Sequence, residues 1–249
     1  MRGSWILMVS EKANSNKRKI KRHRSPELKA QQFDNILDVG KQLFLEHGRD
    51  GFSMRKLAKR LKMDPNNLYN YVESKRELWI AIRKKFYEQY RNENREIIKN
   101  FNGSIVKLLL LISEHFFEFA KKDFAAFRMM HVIPSPPSDK VGPFEKEYKQ
   151  FNFLDRTTQL IQKAINKNEI KENNAALLSF YLFSILLGAT LVEKAMLDIE
   201  NTNDKTGKEV DERLQFGSQS FTSKQFREYT LRKIQELLIN PDLKLDEDD

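Results

Sequence analysis

Three helix starts crowd into the interval from Ser53 to Ser74, and that spacing leaves room for two short helices followed by a long one. Ser53 can cap an amphipathic turn carrying Met54, Leu57, Ala58 and Leu61. Asp64-Pro65 restarts the chain: the Asp side chain caps, and the fixed φ and missing N–H of proline suit a first helical turn. The helix it opens is predicted over 65–71, burying Leu68 and Val72. Ser74 with Glu77 three residues later forms a capping box. It is predicted to open a helix through Leu78, Trp79, Ile82, Phe86 and Tyr90 to about Lys99. Upstream, Phe33, Ile36, Leu37, Gly40, Leu43 and Phe44 recur at three- and four-residue steps in a helix beginning near Leu28, and His47-Gly48 supplies its stop.

The rest of the chain also reads as helix. Residues 104–121 and 123–131 are apolar-periodic, Pro134-Ser-Pro-Pro137 is a loop, and 144–167 reads as one long amphipathic helix. A turn over 168–174 leads to a strongly apolar helix over 175–199. Residues 201–220, polar with two glycines, read as a mobile loop, and 223–239 is helical again up to Asn240-Pro241. No β alternation or internal repeat is seen. The expected fold is all-α: a small helix-turn-helix head and a larger helical-bundle body, with a flexible basic arm over 1–27, a head over 28–80 and a body over 81–249.

Charge follows the same division. Residues 1–30 hold nine Lys/Arg against two Glu, 31–80 hold nine against seven acids, and 81–249 hold 26 against 26, so the +9 of the chain lies in its N-terminal third. A basic end on a neutral body suits a phosphate-binding head. On charge alone, a merely solvated basic tail explains it as well. The chain has no cysteine, which excludes disulfides and thiolate chemistry. Its four histidines, His23, His47, His115 and His131, show no metal-ligand spacing, so no metal and no cofactor is expected. The apolar stretch Leu177–Val192 is too short and too interrupted to span a bilayer, and Trp5–Val9 is too short for a signal peptide. A cytoplasmic protein without membrane partners is expected. A phosphate-binding Gly loop, a nucleophile elbow and paired His/carboxylate spacing are all missing, which argues against an enzyme. An architectural DNA-binding module without an effector is a third reading.

The short helix after Pro65 buries Leu68 and leaves Asn66, Asn67, Tyr69, Asn70 and Tyr71 available. Asn amides can bond base edges, adenine above all. Tyr hydroxyls and free N–H groups at helix starts suit phosphates. Lys75, in the first turn of the following helix, is unfavourable for the helix dipole, a placement that makes sense if it faces a phosphate.

The segments Ser53-Met-Arg-Lys-Leu-Ala58 and Leu68-Tyr-Asn-Tyr-Val-Glu-Ser-Lys-Arg-Glu-Leu78, with the preceding Ile36-Leu37, Gly40, Leu43-Phe44 and His47-Gly48, resemble the signature of TetR-family transcriptional regulators. The likeness covers about fifty residues. Lys62 departs from it where a turn glycine is common, which predicts a looser turn or a strained residue, and Val72 stands where Phe is commonest. The resemblance implies DNA contacts by Ser53 and Arg55, groove-facing Asn66, Asn67, Tyr69 and Asn70, and phosphate contacts by Tyr71 and Lys75. It also implies a ligand-responsive regulator, a repressor released from double-stranded DNA by a small apolar or aromatic effector. Such a regulator is a homodimer on an inverted-repeat operator, joined through its last two helices. The effector candidates are His115, Phe116, Phe119, Phe127, Met130, Phe151, Phe180 and Phe183, drawn from a region rich in aromatic and Met side chains. Ordinary core packing explains each of them singly. Residues 175–199, apolar nearly all round with Gly188 among them, suit a four-helix interface formed with 223–239.

Overall fold

The structure, a computed structural model, describes residues 25–138, 140–149, 152–206, 214–216 and 219–239. The expected basic arm falls outside these residues up to Arg24. In chain order the elements are α1 (Pro26–Gly51), α2 (Met54–Arg60), α3 (Pro65–Leu68), α4 (Lys75–Asn100), α5 (Ile105–Lys122), α6 (Phe124–His131), α7 (Pro143–Lys146), a 3-10 turn (Asn152–Leu154), α8 (Asp155–Asn166), α9 (Ala175–Thr206), β1 (Leu214–Phe216), β2 (Gln219–Phe221) and α10 (Ser223–Ile239). Among the described residues the fold is all-α apart from two three-residue strands, which pair antiparallel with Leu214 opposite Phe221.

The first unit comprises residues 1–90 and 123–149, the second 91–122 and 150–249. The contiguous blocks expected from the sequence, 28–80 and 81–249, are not the packing units. The reason lies in α6 and in residues 132–149, a strap that closes over α4. α6 packs on α1, where the Lys41 ammonium lies 3.1 Å from Asp123 and over the Phe86 ring. Asp123 also caps α6 by accepting the Ala126 N–H at 2.8 Å.

In the first unit, Ser25 caps α1 by accepting the Leu28 N–H, so the helix starts two residues before Leu28. Gly48 breaks α1 with φ 65°, a left-handed conformation that glycine adopts freely, as His47-Gly48 predicts. The core holds Ile36, Leu37, Leu43, Phe44, Leu57, Leu68, Val72, Leu78 and Ile82, none more than 2% exposed, with Phe44 stacked on Phe52 at 4.0 Å. Lys62 has φ 51°, the strained alternative expected where the turn lacks glycine.

The long amphipathic helix predicted over 144–167 is absent. It is broken into α7, the 3-10 turn and α8 because its residues serve different cores. Phe144 and Tyr148 pack in the first unit, while Leu160, Ile161 and Ala164 are buried in the second.

In the second unit α9 packs against α8, α10 and α5, and α10 against α5. Arg227 of α10 lies over the Phe117 ring and bonds Glu118 and the buried Glu193, tying α5, α9 and α10 together. Glu200 accepts the Ser223 N–H at 2.7 Å and its hydroxyl at 2.6 Å, closing the start of α10. The predicted loop over 201–220 is partly regular: α9 continues to Thr206, and the strand pair precedes α10. The 175–201 stretch of α9 is long and apolar enough to cross a bilayer, by length and composition alone, which corrects the reading of a span ending at Val192. Its inner face carries Ser179, Thr190 and Glu193, all buried within the unit.

Candidate nucleic-acid interface

Side-chain caps fix the starts of α2 and α3. Ser53 accepts the Lys56 N–H at 3.1 Å, and Asp64 Oδ1 accepts the Asn66 N–H at 2.7 Å. α3 ends at Leu68 rather than Tyr71, its last carbonyls taken up by the N–H groups of Asn70, Tyr71 and Val72 in a tight turn. Leu68 and Val72, both 0% exposed, anchor the segment from beneath. That anchoring leaves Asn66, Asn67, Tyr69 and Asn70 on the outside, Tyr69 at 48% exposure. Arg55, Lys56, Lys59 and Lys62 are exposed on α2 and the turn that follows it, adding positive charge that the sequence reading assigned only to Arg55. Arg60 is turned away, bonded to Glu46 of α1 at 2.8 Å.

Ser53, Tyr71 and Lys75 are placed differently from the four exposed residues of the reading segment. Ser53 is half-buried and spends its hydroxyl on the cap. Tyr71 is half-buried, its ring parallel to that of Phe33 at 6.0 Å. Lys75 donates its ammonium to the Arg49 carbonyl at the end of α1 and lies 5.7 Å from the Phe52 ring centre. Burial lowers its pKa, against the opposing pull of Asp50. Lys75 thus closes a helix C-terminus, a role no dipole argument at its own helix start could reveal.

Behind this surface, Glu77 is fully buried. Ser74 accepts the Glu77 N–H at 3.0 Å, and the Glu77 carboxylate accepts the N–H groups of Glu73 and, at 3.1 Å, of Phe144. The capping box foreseen from Ser74 and Glu77 therefore has a second client, the strap. Trp79 Nε1 donates to the Ile133 carbonyl at 3.2 Å, Arg76 pairs with Glu145 at 2.6 Å, and Arg83 donates to the Tyr148 hydroxyl while lying over the Trp79 ring. Burial depresses the Arg83 guanidinium; burial, then the charge of Arg83, depresses the His131 imidazole to about 3.

The effector candidates divide between the units. Phe127 and Met130, both buried, belong to the first, where Phe127 lies 5.1 Å from the ring of His131. In the second, Phe116 meets Phe183 edge-on at 6.3 Å, and Phe153, which the sequence reading left out of its candidate set, meets Phe183 at 4.9 Å. Phe119 is buried beside His115, whose Nε2 lies 3.0 Å from Glu93 of α4. Phe180 is 44% exposed, and Leu177 and Tyr181 of α9 are exposed as well. Phe151 lies outside the described residues. Among the described residues no group of His, Asp and Glu suits a metal ion.

Residues 36–82 match the model of the bacterial regulatory proteins, tetR family. Among solved structures, the transcriptional regulator FadR from Bacillus subtilis in complex with stearoyl-CoA is 16% identical, with TM-score 0.58, covering 84% of this chain and 98% of its own. FadR from Bacillus halodurans, a fatty acid degradation regulator, is 13% identical with TM-score 0.56, covering 88% and 97%. AibR in complex with isovaleryl coenzyme A and operator DNA is 13% identical with TM-score 0.56, covering 84% and 98%. At such identities these are likenesses of fold. Among curated protein sequences none matches this chain.

Proposed function

From a chain that belongs, through its residues 36–82, to the tetR family of bacterial regulatory proteins, we propose a cytoplasmic homodimeric repressor released from an inverted-repeat operator by a small apolar or aromatic effector. The observation that carries the reading is the row of exposed Asn66, Asn67, Tyr69 and Asn70 on a segment anchored by Leu68 and Val72. Amides and a phenol held on a rigid base suit the base edges and phosphates of a major groove. In this reading Arg55 contacts the backbone from α2, Ser53 contributes through the cap that sets the start of α2, and Tyr71 and Lys75 border the phosphates.

The outer face of α9 supports the dimer. Leu177, Phe180, Tyr181, Ser184, Gly188, Leu191, Val192, Ala195 and Ile199 are all exposed and fall at helical spacing in one stripe, with no heavy atom near a Cβ placed on Gly188. One-sided apolar exposure on an otherwise packed helix suits a second copy of the same helix. A symmetric dimer then requires half-sites roughly 34–36 Å apart, or a near multiple.

The aromatic cluster of Phe116, Phe153 and Phe183 supports an apolar effector. Since solved relatives in fold carry stearoyl-CoA and isovaleryl-CoA, acyl thioesters are the effectors to test first. The experiment enriches a duplex from a randomised pool with the full chain, then titrates stearoyl-CoA and isovaleryl-CoA into the complex. Enrichment of an inverted repeat and its release by one thioester is the expected result. Failure to enrich any duplex defeats the DNA-binding reading, and enrichment of a sequence without two-fold symmetry defeats the dimer.

A further inference from the structure

The tetR-family match ends at residue 82, yet Phe33, on which the Tyr71 ring stacks, is itself stacked on Phe144, beyond that match. Tyr71, Phe33 and Phe144 form a parallel stack: Tyr71 to Phe33 at 6.0 Å with planes 7° apart, and Phe33 to Phe144 at 5.7 Å with planes 13° apart. Phe33 and Phe144 are each 4% exposed, so both are packed and neither swings freely. Phe144 is seated from behind by its own backbone, whose N–H is held by the buried Glu77 carboxylate. Glu145 and Tyr148, which follow it in the strap, are fixed to Arg76 and Arg83 of α4. The stack therefore runs from the end of the reading segment, through α1, to the strap.

We propose that Phe144 is a positioning residue for DNA contact: it holds Phe33, and through it the Tyr71 ring, at the angle that presents the Tyr71 hydroxyl to a phosphate. The inference rests on the DNA-binding reading given above. An aromatic stack fixes ring planes in a way that aliphatic packing does not, because offset parallel rings resist tilting. The strap thus belongs to the same packing unit as the reading segment.

The test uses the full chain and the duplex that wild-type protein enriches from a randomised pool. Affinity is measured at one fixed salt concentration for wild type, Tyr71→Phe, Phe144→Ala and the double variant, with thermal unfolding of each followed in parallel. Tyr71→Phe should lose roughly 10-fold in affinity, since hydrogen bonds to charged groups are of that strength. Phe144→Ala should lose a similar factor, and in the Tyr71→Phe background it should lose nothing further, whereas a general loss of fold would weaken binding in both backgrounds. If Phe144→Ala does not fold, Phe144→Leu, which keeps apolar volume but has no ring, takes its place with the same expectation. A Phe144 variant that keeps the wild-type affinity overturns the proposal, as does a Tyr71→Phe variant with unchanged affinity or a loss that adds in full in the double variant. If wild-type protein enriches no duplex, the DNA-binding reading fails first, and that result is distinct from all of these.

Discussion

The Glu77 carboxylate and the backbone N–H of Phe144 meet at 3.1 Å in the interior of the first unit, across a place where Gly142 leaves room for them. A Cβ on Gly142 would overlap that carboxylate. Gly142→Ala should therefore force Glu77 from its bonds and cost about 1–3 kcal/mol, as overpacking of a filled core does. Thermal unfolding measures it, and an unchanged midpoint would show that the strap yields freely.

Lys62 calls for the opposite substitution. Its φ of 51° costs an L-residue about 1–2 kcal/mol, while glycine gives back roughly 0.5–1 kcal/mol through the freedom of its unfolded chain. Lys62→Gly should stabilise the protein by about 0.5–1 kcal/mol, read as a rise in the denaturant midpoint at unchanged m-value.

His131 gives the fold an acid-sensitive component. Its folded-state pKa, near 3, lies below the ordinary 6.5, so the unfolded chain binds the extra proton between those values. Stability from this group is fully present above pH 6.5 and is lost as pH falls through that window, with a slope approaching about 1.4 kcal/mol per pH unit. His131→Leu removes the titration, so the unfolding free energies of variant and wild type should run parallel above pH 7 and diverge below pH 6. Parallel curves down to pH 4 would show that the imidazole is hydrated.

Tyr69 and Lys75 should separate in a paired measurement. Tyr69→Ala removes an exposed ring, so DNA affinity should fall while stability changes by less than about 0.5 kcal/mol. Lys75→Ala also strips the cap from the Arg49 carbonyl, so unfolding should shift together with affinity. Equal stability of the two variants would count against the capping role.

Much of the head could be read from the sequence because its signals are local. Ser53, Asp64-Pro65 and Ser74 with Glu77 act within four residues, and the structure places α2, α3 and α4 at those starts. Gly48 takes the left-handed break that glycine allows, and Lys62 is strained where the signature favours glycine. What stayed hidden depends on distant partners. The split of 144–167 follows from Glu77 and Arg83, 67 and 65 residues away, claiming Phe144 and Tyr148. The Arg49 carbonyl claimed Lys75, and no periodicity encodes such a contact. The exposure of Phe180 is not legible from its sequence because its helix is apolar on nearly every side, which leaves the inward and outward faces alike in composition.

That sameness of faces on α9 carries a prediction for assembly. Tyr181 is 54% exposed in the outer stripe, so Tyr181→Glu should leave helicity unchanged and yield a protomer by light scattering where wild type is paired. A variant that remains paired at low micromolar concentration would move the seam elsewhere.

In the proposed dimer, the outer stripe of α9 would also tie the chemistry of the surface to gene dosage. Where most chains are unpaired, the concentration of two-headed molecules grows as the square of the total chain, so halving synthesis cuts the number of two-headed molecules to about a quarter. The stripe from Leu177 to Ile199 would then act as a threshold device, keeping sparse chains off the operator and making occupancy rise steeply once the cell makes enough of them.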